Sequence, residues 1–315
     1  GAPVATTCPY CGVGCGLLVT TQPDGTATVA GDPDHPANLG RICSKGAALG
    51  ETLGLDGRLL YPEIAGEQVT WPAALDAVAG GLARIHREHG PQAIAFYVSG
   101  QLLTEDYYVA NKLMKGFLGT ANIDTNSRLC MASAVAGHKR AFGADVVPGC
   151  YEDLELADLI VLVGSNAAWC HPVLYQRIAA AKERNPHRRV IVVDPRRTDT
   201  CELADLHLQI RPGADSVLFN GLLAHLERSG VLDRGYVAEH TSGFDAALAE
   251  ASRTAPDGET VAKLTGLHAR DVATFYRWFS ETPRVVTAFS QGVNQSSSGT
   301  DKVNAIINCH LATGR

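Results

Sequence analysis

Three cysteines in CPYCGVGC (Cys8, Cys11 and Cys15) and a fourth, Cys43, in GRICSKG constrain this chain more than any other feature. A CxxC pair makes a tight loop that turns two sulfurs the same way. A third thiol four residues later and a fourth from a distant turn can close a tetrahedral cage. Iron–sulfur clusters need four such thiolates, usually on a glycine-rich loop, because backbone N–H groups must approach the sulfides. Gly12, Gly14 and Gly16 alternate with the cysteines as that requirement predicts. A structural zinc ion also takes four cysteines, and stands as the alternative. Zinc pairs usually come as two CxxC knuckles, whereas the second half here is a single cysteine.

The bulk numbers exclude several classes. Net charge is −6 and there is no long basic run, so nucleic acid is not an expected partner. No apolar run reaches the roughly 20 residues that span a bilayer, so no membrane partner is expected either. No signal segment is expected ahead of Cys8, although a chain that starts at Gly1 is also compatible with a removed leader. Nine cysteines is an odd count, and Cys130, Cys150, Cys170, Cys201 and Cys309 are widely scattered. Disulfide frameworks belong to small secreted chains, so a reducing, cytoplasmic setting is expected.

Texture along the chain predicts an α/β protein. Residues 1–60 are rich in glycine and proline with short β-like runs at 17–21 and 26–30, and read as a small cluster domain. From Pro72 onward, Leu75, Val78, Ala79, Leu82 and Ile85 share a helical face. Residues 93–98 (AIAFYV) read as a buried strand, and 104–118 as a helix with acids in its first turn, ended by Gly119. Strand and helix then alternate, which implies mostly parallel sheets. We expect a small N-terminal iron–sulfur domain (1–60), followed by two doubly wound, Rossmann-like α/β domains. The first takes 61–148 plus 284–315; the second takes 149–283.

In the second α/β unit, the apolar strand 158–163 runs into Gly164-Ser165-Asn166, a helix over 172–183, and a strand at 190–193 ending in Asp194. A small-residue turn after one strand and an acid after the next suit a nucleotide: phosphate at the helix N-terminus, ribose on the acid. GxGxxG is absent, so NAD is not expected. Taken alone, Asp194-Pro195 is also a plain strand-ending turn. A third strand, 206–210, brings Asp215 to the same edge.

Cys130 follows a polar turn and opens a helical stretch. A thiol at a helix N-terminus ionises more readily, and a soft metal prefers thiolate. Most lone cysteines are nonetheless small core residues.

Taken in order, CPYCGVGC, GRICSKGAALG, YVSGQLLTEDYY, NIDTNSRLCMASAV, GSNAAWCHP, DPRRT, RPGAD and QGVNQS make the whole chain resemble the molybdopterin oxidoreductases of the dimethyl-sulfoxide-reductase class. Within that class the resemblance is to the N-terminal part of assimilatory nitrate reductase catalytic subunits. It implies a [4Fe-4S] cluster on Cys8, Cys11, Cys15 and Cys43. It also implies molybdenum held by two molybdopterin guanine dinucleotides and by Cys130. Gly164, Ser165, Asn166, Asp194, Arg196, Thr198, Gly213 and Asp215 match dinucleotide-binding positions. Gln101, Asn126, Gln291 and Gln295 match pterin contacts, and Lys45 a lysine between cluster and pterin.

The implied activity is molybdenum-dependent reduction of nitrate to nitrite by oxygen-atom transfer, with electrons arriving through the cluster. The donor protein would be a ferredoxin, a flavodoxin or an NADH-oxidising flavoprotein, and the missing C-terminal portion of the subunit would complete the pocket. Arg128 is the candidate cation for nitrate. Formate dehydrogenases are the near alternative, but they carry histidine after the metal-bound residue. Here that position is Met131, which cannot move a proton. A non-catalytic electron-relay fragment is the other alternative.

Overall fold

The computed structural model describes residues 1–315 except the side chain of Arg128, so the expectation that Arg128 holds nitrate lies outside the described residues. The chain divides into two compact units. One comprises Gly1, Thr20–Thr28 and Ala48–Leu129; the other comprises Ala2–Val19, Val29–Ala47 and Cys130–Arg315.

The N-terminal sheet consists of β1 (Val4–Thr7), β2 (Gly16–Thr21) and β3 (Ala27–Gly31), with β1 antiparallel to β2. Thr7 pairs with Gly16, so the loop carrying Cys8, Cys11 and Cys15 is the connection that this register closes.

In the unit that contains Ala48–Leu129, β4 (Glu63–Ile64) and β5 (Glu67–Gln68) form a minimal hairpin. The helix Trp71–His89 follows. The Thr70 hydroxyl accepts from the Ala73 N–H at its start, Pro72 occupies the first turn, and Gly90 ends it at φ 79°. Leu82 and Ile85 are half-buried, but Leu75 and Val78, expected on the covered face, are exposed. The strands β6 (Phe96–Val98) and β7 (Ile123–Thr125) pair in parallel. The expected helix over 104–118 is α-helical over Thr104–Asn111 and continues as a π-helix over Lys112–Leu118, closed by Gly119 at φ 73°. Among the described residues the β4–β5 hairpin and the parallel β6–β7 pair are separate two-stranded sheets.

The other unit holds the larger sheet, built from β8 (Leu159–Val163), β9 (Arg189–Val193), β10 (Leu206–Leu208) and β11 (Val285–Phe289). Its order is β10-β9-β8-β11, all parallel. The runs LIVLV (Leu159–Val163) and VIVV (Val190–Val193) are apolar at every position because helices cover both faces. One face packs Leu159, Val161 and Val163 against Phe219, Phe275 and Phe279, with Val303 and Ile306 in the same cluster. The opposite face packs Ile160 and Leu162 against Ile178 of the helix Pro172–Arg184. Each of these buried side chains contributes about 1.5–3 kcal/mol through removal from water.

One grouping is corrected by the pairing. Residues 284–315 were expected beside 61–148, yet β11 pairs with β8, Val285 opposite Leu159 and Phe289 opposite Val163. The Arg284 guanidinium donates to both Asp158 carboxylate oxygens at 2.8 Å and secures that edge. Helices Ala132–Phe142 and Gly299–Leu311 pack together in the same unit, where the Asn304 amide donates to the Gly137 carbonyl at 2.9 Å. A lone apolar strand carries no label of its sheet; only the register decides. Among the described residues no helix is long and apolar enough to cross a membrane.

Candidate functional site

The cysteine loop is built by backbone closure. The Cys8 N–H donates to the Cys15 carbonyl at 2.8 Å, and Gly14 takes φ 69° in the turn between them. Cys15 is buried with Val13 against Val173; Cys8, Cys11 and Cys43 are half-buried. Asn38, fully buried, joins the two cysteine segments. Its Oδ1 accepts from Gly16 N at 2.8 Å, and its Nδ2 donates to the Gly16 carbonyl at 3.0 Å and the Arg41 carbonyl at 2.8 Å. A Cβ on Gly46 would stand 3.9 Å from Cys8 Sγ, so the turn after Cys43 lies against Cys8. Sequence reasoning missed Asn38, because its partners are backbone atoms, those of Gly16 being 22 residues away.

The sulfurs feel one another. Burial, then the charges of Cys11, Cys8 and Cys43, push the Cys15 thiol up to about 11. Four thiolates in one pocket repel unless a cationic centre neutralises them, which is the donor chemistry of an iron–sulfur cluster. Among the described residues no three His, Cys, Asp or Glu side chains gather tightly enough for a single ion. The zinc alternative needs a compact cage, with Zn–S near 2.3 Å. A four-iron cube takes one thiolate per iron, and the glycine-rich loop with a single cysteine in the second half suits that cube better than two zinc knuckles.

A clamp holds this loop to the large sheet. Arg177 is buried; its Nε donates to Glu155 Oε1 at 2.7 Å, and its Nη1 to the carbonyls of Pro36 at 2.8 Å and Ala37 at 2.9 Å. Its guanidinium stacks 5.5 Å from the Tyr151 ring centroid, and the Tyr151 hydroxyl donates to the Val13 carbonyl at 2.9 Å. Lys45 lies near enough to His171 that its charge, after burial, lowers the His171 pKa.

The sheet edge carries the other group of candidate residues. All four strands of the large sheet are parallel and Val163 is level with both Val193 and Phe289, so Gly164, Asp194 and Ser290 emerge side by side. In this order the chain reverses direction across the sheet between β8 and β11, where open α/β sheets form their ligand crevice. Gly164 (φ 55°) and Gly292 touch there: a Cβ on Gly292 would fall 2.6 Å from Gly164 Cα. Ser165 is buried. Asn166 Oδ1 accepts from the Thr200 hydroxyl at 3.0 Å, and that hydroxyl accepts from Ala168 N at 3.1 Å. Asp194 is buried and its Oδ1 accepts from Arg196 N at 2.8 Å. The Thr198 hydroxyl is buried without a partner, as a site awaiting a polar ligand would leave it.

Other expected residues are placed differently. Gly213 turns the chain at φ 88°, but the Asp215 carboxylate is taken by Lys302 Nζ at 2.8 Å, with both side chains buried. Lys302 had no place in the sequence reading; a lysine opening an apolar helix was the available signal. Gln291 Oε1 accepts from the Ser290 hydroxyl. Gln101 and Asn126 belong to the unit with Ala48–Leu129, at the carboxyl ends of β6 and β7, where Asn126 Oδ1 occupies the space a Cβ on Gly100 would need.

Cys130 ends the short helix Ser127–Cys130, one residue ahead of the cap of the helix Ala132–Phe142, rather than opening that helix. Its half-buried sulfur accepts from Gln295 Nε2 at 3.2 Å, on the loop that leaves β11. The thiol therefore stands beside the loops of the switch point and not in the hydrocarbon core.

A family model described as Molybdopterin oxidoreductase matches residues 58–315, and one described as Molybdopterin oxidoreductase Fe4S4 domain matches residues 2–53. The chain belongs to the molybdopterin oxidoreductase family. It is 59% identical over 310 residues to the nitrate reductase of Klebsiella oxytoca, covering 98% of this chain and 35% of that protein. It is 50% identical over 319 residues to the nitrate reductase of Shewanella frigidimarina, covering 99% of this chain and 34% of that protein. The chain thus spans about a third of the length of these relatives. Among solved structures, acetylene hydratase from Pelobacter acetylenicus superposes with a TM-score of 0.86 at 22% identity, over 98% of this chain and 43% of that one. That likeness establishes the shared α/β fold.

Proposed function

We propose that this chain carries the cluster and dinucleotide sites of an assimilatory nitrate reductase that reduces nitrate to nitrite. The observation that carries the reading is the Cys130 thiol beside the loops of the β8–β11 switch point, in the chain that also holds the cysteine quartet. Cys8, Cys11, Cys15 and Cys43 would hold a [4Fe-4S] cluster. Cys130 would hold molybdenum, whose two molybdopterins are extended as guanine dinucleotides. When bound, these groups supply single-electron transfer and two-electron oxygen-atom transfer.

The chain's own residues bind and orient. Gly164 shapes the turn, its own N–H donating to the Val193 carbonyl, and Ser165 and Asn166 offer backbone N–H groups at the sheet edge for a diphosphate. Asp194, Arg196, Thr198 and Gly213 would form the nucleoside side of that edge, with the unpartnered Thr198 hydroxyl available to a sugar or base, while Asp215, paired with Lys302, would hold the Gly213 loop in place rather than meet the nucleoside. Gln291 and Gln295 are proposed pterin contacts of the unit with the large sheet, Gln101 and Asn126 are proposed pterin contacts of the other unit, and Lys45 would place a cation between quartet and pterin. Arg128 is the cation proposed for nitrate. Met131 Sδ accepts a 3.6 Å contact from Asn294 Nδ2, and no proton-transferring side chain occupies its position. This supports oxygen-atom transfer over formate oxidation.

A cytoplasmic setting belongs to the same reading, since nine cysteines scattered through a chain of this size suit a reducing compartment. A ferredoxin, a flavodoxin or an NADH-oxidising flavoprotein would deliver the electrons. The direct test is a dye-linked assay on the full-length holoenzyme. Nitrate-dependent oxidation of reduced viologen with nitrite formed is expected; formate-dependent dye reduction without nitrate turnover would replace this proposal with the dehydrogenase.

A further inference from the structure

Two consecutive amides reach back to Cys130. Asn294 closes the short helix Gln291–Asn294, and Gln295 follows at its end. Asn294 is buried, and its Nδ2 donates to the Cys130 carbonyl at 2.9 Å and contacts Met131 Sδ at 3.6 Å. Gln295 is exposed, and its Nε2 donates to Cys130 Sγ at 3.2 Å. The Asn294 Oδ1 is buried with no partner. Leaving a buried amide oxygen unpaired is destabilising, so this asparagine is not there for stability alone.

We propose that Asn294 and Gln295 are positioning residues for Cys130: Asn294 fixes where the sulfur stands, and Gln295 sets how strongly it donates electrons to a bound metal. The inference rests on Cys130 being the metal ligand. One amide holds the residue's backbone and the next holds its side chain, so the thiol has little freedom to turn away from the switch point. A hydrogen bond to a ligand sulfur withdraws electron density from it. A metal on that sulfur then sees a weaker donor, its reduced form is favoured, and its potential rises. Gln295 thereby acts on the sulfur itself, in addition to the pterin contact proposed above.

The test uses the full-length holoenzyme with Gln295→Ala, Gln295→Glu, Asn294→Asp and Cys130→Ala. The readouts are molybdenum content, the Mo(V) paramagnetic signal and a redox titration of molybdenum, with the cluster signal as internal control. Gln295→Ala should keep molybdenum and the cluster signal, shift the Mo(V) g-values and lower the molybdenum potential. Gln295→Glu should lower it further, because an acceptor oxygen replaces the donor. Asn294→Asp keeps the volume but loses the donor, and should broaden the Mo(V) signal into more than one species. Wild-type g-values and potentials in both Gln295 variants would overturn the inference. An unchanged Mo(V) signal in Cys130→Ala would instead overturn the ligand assignment beneath it, so the two failures are told apart.

Discussion

Lys302 Nζ lies 2.8 Å from Asp215 Oδ2, and both side chains are buried. The pair ties the first turn of the helix Asp215–Arg228 to the helix Gly299–Leu311, and so fixes the loop that leaves β10 at the sheet edge. Removing one partner of a buried pair strands the other charge, at a cost of about 3–5 kcal/mol. Lys302→Met should therefore lower stability by about that amount in denaturant unfolding. Asp215→Asn combined with Lys302→Met should recover most of it.

The contact between Gly164 and Gly292 gives a second prediction. A Cβ on Gly292 meets backbone atoms of Gly164 closer than 3 Å, and backbone cannot step aside as a side chain can. Gly292→Ala should cost about 1–3 kcal/mol through overpacking and lower the molybdenum content of the purified holoenzyme. Gly258→Ala is the control: nothing lies within 4 Å of the added carbon and φ is not positive, so its melting temperature should stay near wild type.

Arg177 is the clamp between the cysteine loop and the large sheet, and lysine cannot reproduce its contacts with Glu155, Pro36, Ala37 and the Tyr151 face together. Arg177→Lys should leave the fold assembled but the loop looser. Its brown cluster absorbance should bleach in air several times faster than that of the wild type. Equal bleaching rates would show that the clamp is irrelevant to the cluster.

His310 sets an acid limit. Burial, then the Arg315 cation, lower its pKa to about 4, and its Nε2 lies 2.8 Å from the Thr287 hydroxyl. The unfolded value is about 6.5. Between these values the unfolded chain binds a proton that the folded chain refuses. The contribution is thus complete above about 6.5 and is lost as pH falls toward 4, by about 3 kcal/mol in all. His310→Gln should flatten that part of the stability curve, as read by urea midpoints across the window.

Much of the fold was legible because its signals are local. The runs at 159–163 and 190–193 are apolar at every position, and the small-residue turn after the first and the acid after the second mark the sheet edge that carries the candidate site. The placement of 285–289 was not legible, since any of several strands offers an apolar partner and only the observed register selects β8. The cysteine quartet was readable from spacing alone. Its supports were not: Asn38 and Arg177 act on backbone carbonyls remote in sequence, which no side-chain pattern announces. Asp215 was read as an open acid, because its buried partner lies far along the chain. The exposed Leu75 and Val78 show the converse, a helical stripe that was legible although nothing among the described residues covers it.

Metal analysis of the purified full-length enzyme, paired with Cys130→Ala, tests the central claim most directly. The wild type should contain about four iron atoms for each molybdenum. Cys130→Ala should keep the iron and its brown colour while losing nitrate reduction. A colourless protein holding zinc, or a Cys130→Ala enzyme that still turns nitrate into nitrite at the wild-type rate, would contradict the account.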